Sequence, residues 1–192
     1  TQGVSSAASD VYKRQMDIQA GAQAVRTSGH TIVGRGVATY AVTSNMGRTA
    51  FRFQAKDGRW FELAEQTPDT WMFGGWGDGG AHDDTDAFEA QFLFCAMTAR
   101  PVYIPGGANW VTTRMIRSYV RVIYGDAPWI GADQPGTTWT FKPADTITDR
   151  LAALSIDGGM YGGGQVRDMT FIGPHGYARS RPADWLSLIH IS

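Results

Sequence analysis

Asp78, His82, Asp83, Asp84 and Asp86 crowd into one short stretch of the chain. Carboxylates beside an imidazole are the groups that a divalent cation or a general acid/base would use. The spacing is not that of an EF-hand loop, which needs its glycine at a fixed place among the ligands. Helix capping and turn formation account for these residue types, so the stretch reads as structural and no metal is expected. A second set, Asp126, Asp133, Asp145, Asp149, Asp157 and Asp168, is scattered through the later part of the chain. Two carboxylates at a fixed separation across a sugar bond are what glycoside cleavage requires. Asp157 and Asp168 stand out because they flank strand-like segments, and they are the candidate catalytic residues. Trp110 and Trp129 are the candidate sugar-stacking residues, with Trp139 beside them, because an indole face packs on the apolar face of a pyranose. Core packing is the competing role for all three. Cys95, the only cysteine, falls on an apolar helix face and reads as an inert thiol. His30 and His175 lie in glycine-flanked loops and read as solvated. Arg114, Arg117 and Arg121 read as a solvated strand face. The glycines from Gly74 to Gly80 are not followed by Lys-Ser/Thr and lack dinucleotide-fold spacing, so no nucleotide or other cofactor is expected.

The elements around these residues follow from local chemistry. Asp83, Asp84 and Thr85 precede an apolar run and offer oxygens to the free amides of a first helical turn. Asp86 and Glu89 add negative charge at the positive end of the helix dipole. Phe88, Phe92, Cys95 and Ala96, with Ala99 close by and Leu93 widening the stripe, predict a helix from Asp84 to Ala99. Arg100-Pro101 stops it, since the residue before proline is pushed out of the helical region. Val102–Ile104 is then a strand, turned away by Pro105-Gly106-Gly107. Upstream, Thr31–Val33 and Val37–Val42 predict a hairpin about Gly34-Arg35-Gly36. Ala50–Gln54 and Arg59–Leu63 predict another about Asp57-Gly58. Downstream, strands are expected at Val111–Thr113, Val120–Gly125, Thr138–Phe141, Leu154–Ile156 and Val166–Ile172. Tyr119–Gly125 and Gln165–Gly173 resemble each other, and such repetition of short strands is what a solenoid needs.

Gly77-Asp78-Gly79, then Asp83-Asp84-Thr85-Asp86-Ala87-Phe88, then Val102-Tyr103-Ile104-Pro105-Gly106 resemble the opening of the pectate-lyase-like, rhamnogalacturonase/epimerase-type right-handed parallel β-helix, as found in phage tail-spike depolymerases. Gly75 departs from that pattern, standing where alanine is usual. The resemblance implies an all-β protein: the N-terminal part of a right-handed parallel β-helix, a capping α-helix, and a small antiparallel β unit before it. Gly77, Asp78, Gly79, Asp83, Asp84, Thr85, Pro105 and Gly106 would be its structural motif. It further implies polysaccharide or cell-surface glycan as partner, a possible homotrimer, and an extracellular or virion-surface location. The activity implied is hydrolysis, lyase chemistry or uronate epimerisation, with non-catalytic receptor binding as the alternative. In this family the catalytic residues usually come from middle rungs, so the resemblance implies that this stretch is mainly cap and first rungs and that the catalytic residues lie beyond it, with Asp157 and Asp168 the candidates within it.

Asp10–Gln15 can be encoded by a DNA string whose reverse complement encodes Leu186–Ile191, and that string resembles a transposase end used in sequencing libraries. Residues 1–15 and 186–192 are therefore set aside as foreign. The expected organisation is 16–70, a linker and small hairpin unit, and 71–185, the cap and first rungs of a β-helix continuing beyond this stretch. The net charge of −1 gives no basis for nucleic-acid binding. No apolar run is long enough to insert in a membrane. The 24 glycines favour turn-rich β structure.

Overall fold

The computed structural model describes residues 18–127, 136–143, 154–156, 164–173 and 189–191. Its first part is an antiparallel sheet of β1 (Ala24–Arg26), β2 (Thr39–Thr43), β3 (Arg52–Gln54) and β4 (Trp60–Leu63), in the order β1-β2-β4-β3. The β3–β4 hairpin forms about Asp57-Gly58 as expected. The Asp57 carboxylate accepts the Arg59 amide at 3.0 Å, and Gly58 takes φ 86°. The other expected hairpin does not form. Gly29 and Val33 make only an isolated bridge, and β2 pairs instead with β1, in the stretch read as a linker. The cause lies at Thr27 and Ala38. The Thr27 amide donates to the Ala38 carbonyl at 2.9 Å, and the Ala38 amide donates to the Thr27 hydroxyl at 3.1 Å, which closes the residues between them into a loop. One face of this sheet buries Tyr40, Phe53 and Phe61.

A short 3-10 turn, Thr70–Phe73, leads to α1 (Thr85–Thr98). Helix α1 ends on Ala99 in the left-handed region at φ 54°, where the Arg100 amide donates to the Cys95 carbonyl at 2.9 Å. The helix is buried on two sides rather than along one stripe. Phe94 meets Phe51 and Phe73 of the N-terminal part, with ring centroids 5.0 and 5.8 Å apart. Phe88 meets Trp110 and Trp139 of the later strands, at 6.0 and 4.6 Å. Leu93 does not widen the buried face; it is 55% exposed. A helix sandwiched between two layers has no single polar face, so its apolar residues spread around the cylinder.

After α1 the chain makes three passes. The first lays down β5 (Val102–Tyr103), β6 (Asn109–Thr112) and β7 (Ile116–Ser118). The second lays down β8 (Val122–Tyr124), β9 (Thr138–Phe141) and β10 (Leu154–Ile156). The third lays down β11 (Gln165–Arg167), β12 (Thr170–Ile172) and β13 (Ile189–Ile191). Strands do not pair with their chain neighbours. They form three parallel sheets, β5-β8-β11, β6-β9-β12 and β7-β10-β13, each taking one strand from every pass. Register then stacks side chains in columns. Val102 lies opposite Ile123 and Ile123 opposite Val166. Trp110 lies opposite Trp139 and Trp139 opposite Phe171. Val102, Ile123, Trp110, Trp139, Ile116 and Leu154 are all fully buried, so these columns are the core. β13 lies in the segment set aside as foreign, and its backbone pairs with β10.

Three expectations need correction. Ile116–Ser118 is a strand that had no expected counterpart. The segment Val166–Ile172 is two strands, because Asp168 takes φ 60° and turns the chain from one sheet to the next. The likeness between Tyr119–Gly125 and Gln165–Gly173 is out of structural register, since Val166 faces Ile123 rather than Val120.

Candidate functional site

The Gly74–Thr85 turn is tied together by carboxylates that accept backbone amides. Asp84 is the centre of it, 1% exposed. It does not cap α1 with its side chain, contrary to the sequence expectation. One carboxylate oxygen accepts the amides of Trp76 at 2.6 Å and Gly77 at 3.2 Å, and the other accepts the Val111 amide at 3.0 Å. The Asp84 amide in turn donates to the Val111 carbonyl at 2.8 Å. One side chain thus joins the glycine turn, the helix start and β6. Burial pushes the Asp84 pKa up, while the Val111, Trp76 and Gly77 amides pull against it. The turn must pass close to β6, and Gly77 meets both conditions that force glycine. It has φ 59°, and a Cβ there would lie 2.6 Å from that of Ala108. At Gly75 a Cβ would lie 2.7 Å from the Trp110 ring, which explains the absence of alanine there.

Asp83 supplies the cap that Asp84 does not. It accepts the Thr85 amide at 3.0 Å and the Thr113 hydroxyl at 2.6 Å. The Thr85 hydroxyl accepts the Thr113 amide at 2.9 Å. Burial works to raise the Asp83 pKa, but the hydrogen bonds from Thr113 and Thr85 outweigh it and hold the carboxyl below its ordinary value. Asp86 and Glu89 both reach the Arg114 guanidinium, at 2.7 and 3.3 Å, on an exposed surface. Asp78 accepts the His82 amide at 3.1 Å and pairs with His82 Nδ1 at 2.6 Å, and the imidazole stacks on Trp76 with centroids 4.0 Å apart. Among the described residues no group of three or more His, Cys, Asp or Glu side chains could hold a metal ion.

The remaining candidates separate. Trp110 is fully enclosed, with its indole N–H donating to the Pro105 carbonyl at 2.9 Å. Trp139 is enclosed likewise, donating to the Thr112 hydroxyl at 2.8 Å. Both are core residues and offer no face to a sugar, which corrects the candidate role of Trp110. Trp129 and Asp157 lie outside the described residues, as do Asp133, Asp145, Asp149 and His175. Asp168 forms the β11–β12 corner and pairs with Arg167 at 2.8 Å. Asp126 accepts the Gly106 amide at 2.7 Å and the Tyr103 hydroxyl at 2.5 Å, so it fixes the Pro105-Gly106 turn. Burial, and then that hydrogen bond, raise the Tyr103 pKa. Cys95 is buried and its thiol is pushed by burial up to about 12, which suits an inert role. His30 is not solvated: it is half-buried and packs against Gly74, where a Cβ would lie 2.9 Å from the ring.

Sequence reasoning missed Gln91. It is fully buried in α1, accepts the Thr70 hydroxyl at 2.9 Å, and donates to the carbonyls of Pro68 at 2.9 Å and Tyr103 at 2.7 Å. The signal available was a glutamine beside Phe92 in the run Ala90–Met97, whose other residues are all apolar, since a buried amide must be paired.

No protein-family model matches the chain, and no curated protein matches it. Solved structures do. Tailspike protein 2 of Escherichia coli O157:H7 bacteriophage CAB120 matches with TM-score 0.56 and 15% identity, over 90% of this chain and 21% of that one. Pantoea stewartii WceF, described as a glycan biofilm modifying enzyme with a tailspike-like parallel β-helix fold, matches with TM-score 0.54 and 14% identity, over 88% and 24%. Tailspike gp49 of Acinetobacter baumannii bacteriophage Fri1, described as a capsular polysaccharide depolymerase, matches with TM-score 0.58 and 14% identity, over 90% and 33%. The chain therefore shares the fold of tailspike-like parallel β-helix proteins and spans a fifth to a third of their length.

Proposed function

We propose that the chain is the N-terminal part of a tailspike-like protein that binds and depolymerises a surface polysaccharide. On this reading its three passes open a right-handed β-helix, α1 covers the first pass, and the assembled protein is a homotrimer at a virion surface. The observation that carries the reading is the stacking of β5-β8-β11, β6-β9-β12 and β7-β10-β13 in parallel register, together with the fold likeness to a capsular polysaccharide depolymerase.

The described carboxylates favour a structural role for this stretch. Asp83, Asp84 and Asp126 accept backbone amides or hydroxyls, and Asp78 and Asp168 pair with His82 and Arg167. No two of these five stand free to face each other across a substrate, so on this reading cleavage falls to carboxylates other than these. The same observation favours a second reading, a non-catalytic receptor-binding fibre. Reducing-end release from capsular polysaccharide separates the two. A longer chain with further rungs is expected to release reducing ends, and this chain alone is not. A longer, folded, trimeric chain that binds capsule without releasing ends contradicts the depolymerase reading. Unsaturated products absorbing in the ultraviolet would assign a lyase rather than a hydrolase.

A further inference from the structure

A groove of about 320 Å³ runs between α1 and the segment around β7, on the outside of the molecule. Phe92, Leu93 and Met115 supply apolar surface, and Glu89, Arg117 and Tyr119 line it with polar groups. Tyr119 is 66% exposed and Leu93 55%. A large exposed aromatic beside a concave apolar surface is what a ligand site presents. The charges are unequal in their commitments. Glu89 is paired with Arg114 at 3.3 Å. Arg117, central in β7 and exposed, has no carboxylate partner among the described residues. A guanidinium presents a planar fork matched to a carboxylate.

We propose that this groove binds an acidic sugar unit, its ring face on Tyr119 and its carboxylate on Arg117. The inference rests on the polysaccharide reading above and adds to it a site and a charge class. The volume lies at the small end for ligand sites, about 300–1,000 Å³, enough for one or two sugar rings. A second copy of the chain is the poorer occupant. A stable protein interface needs roughly 800 Å² from each partner, whereas this lining is short and half of its named residues are polar.

Calorimetric titration of this chain with trigalacturonate, and with maltotriose as the neutral control, tests the proposal. Trigalacturonate is expected to bind at low salt and more weakly as salt rises. Arg117→Gln should weaken it about tenfold, the scale of one charge-assisted bidentate contact. Tyr119→Ser should weaken it several-fold, and Arg121→Gln should not change it. All three altered side chains are exposed, and an unchanged thermal melt confirms that the variants fold. If a variant unfolds, methyl shifts of Leu93 and Met115 in the wild-type chain on adding trigalacturonate decide instead. Wild-type affinity in Arg117→Gln, equal binding of maltotriose, or methyl shifts that follow protein concentration alone each overturn the proposal. Cleavage is read separately, on a longer chain. Loss of the groove proposal therefore leaves depolymerisation standing, and failure of depolymerisation leaves groove binding measurable.

Discussion

Replacing Asp84 by alanine removes one side chain and leaves three amides, those of Trp76, Gly77 and Val111, without their acceptor. A buried donor left unpaired costs about 1–3 kcal/mol, and a hydrogen bond to a charged group sits at the upper end of that scale. The Val111 amide is fully buried and bears the whole penalty. Those of Trp76 and Gly77 lie in the turn, where water can replace part of the loss. The expected destabilisation is about 3–5 kcal/mol, a large share of the roughly 5–15 kcal/mol typical of a native protein. The melting temperature should fall on the order of 10 °C. Asp84→Asn keeps an oxygen for one side of the site but turns an N–H₂ toward another donor, so about 2 kcal/mol is expected. Asp86→Ala, altering a side chain that is 91% exposed, should cost under about 0.5 kcal/mol. Thermal and denaturant unfolding give the magnitudes, and amide exchange locates them: Gly77 and Val111 should lose protection first. A loss below about 1 kcal/mol in Asp84→Ala, or an equal loss in Asp86→Ala, refutes the claim that Asp84 ties the turn to β6.

Ala99 holds a left-handed conformation at φ 54°, so Ala99→Gly should stabilise the chain by about 0.5–1 kcal/mol in denaturant unfolding. Gln91→Leu keeps the volume but strands the Thr70 hydroxyl and the Pro68 and Tyr103 carbonyls. It should cost about 2–4 kcal/mol, measured in the same way. Asp83 has a folded-state pKa below its reference of 3.8, so folding favours its carboxylate. That contribution is complete above the reference value and disappears as pH falls through the lower folded value. The stability gap between wild type and Asp83→Asn should therefore be widest near about pH 6 and close in acid; a gap that widens on acidification refutes the sign.

Much of this architecture was legible because it is local. Asp57-Gly58 between alternating runs gave the β3–β4 hairpin, and Thr138–Phe141 and Leu154–Ile156 are strands with the expected bounds. The acidic start and Arg100-Pro101 end gave α1 to within a residue. What failed was set by distant partners. The acceptor role of Asp84 depends on Val111, which no local spacing places beside it, so a helix cap was the natural expectation. A one-sided stripe would carry Leu93 inward, whereas α1 is covered from two sides and leaves it exposed. Ile116–Ser118 is only three residues long and carries Arg117 outward between two buried residues, too short for an alternation to show. The split at Asp168 needed the left-handed φ that aspartate tolerates and sequence periodicity does not reveal. Trp110 could serve as a sugar platform or as core on composition alone; only the column with Trp139 decides it.

The central claim is that successive passes of the chain pile up in parallel, and interstrand Hα–HN Overhauser contacts test it directly. The structure predicts one set of contacts running Val102–Ile123–Val166 and another running Trp110–Trp139–Phe171. Contacts that instead join each strand antiparallel to its neighbour in the chain, β8 to β9 or β11 to β12, would contradict it.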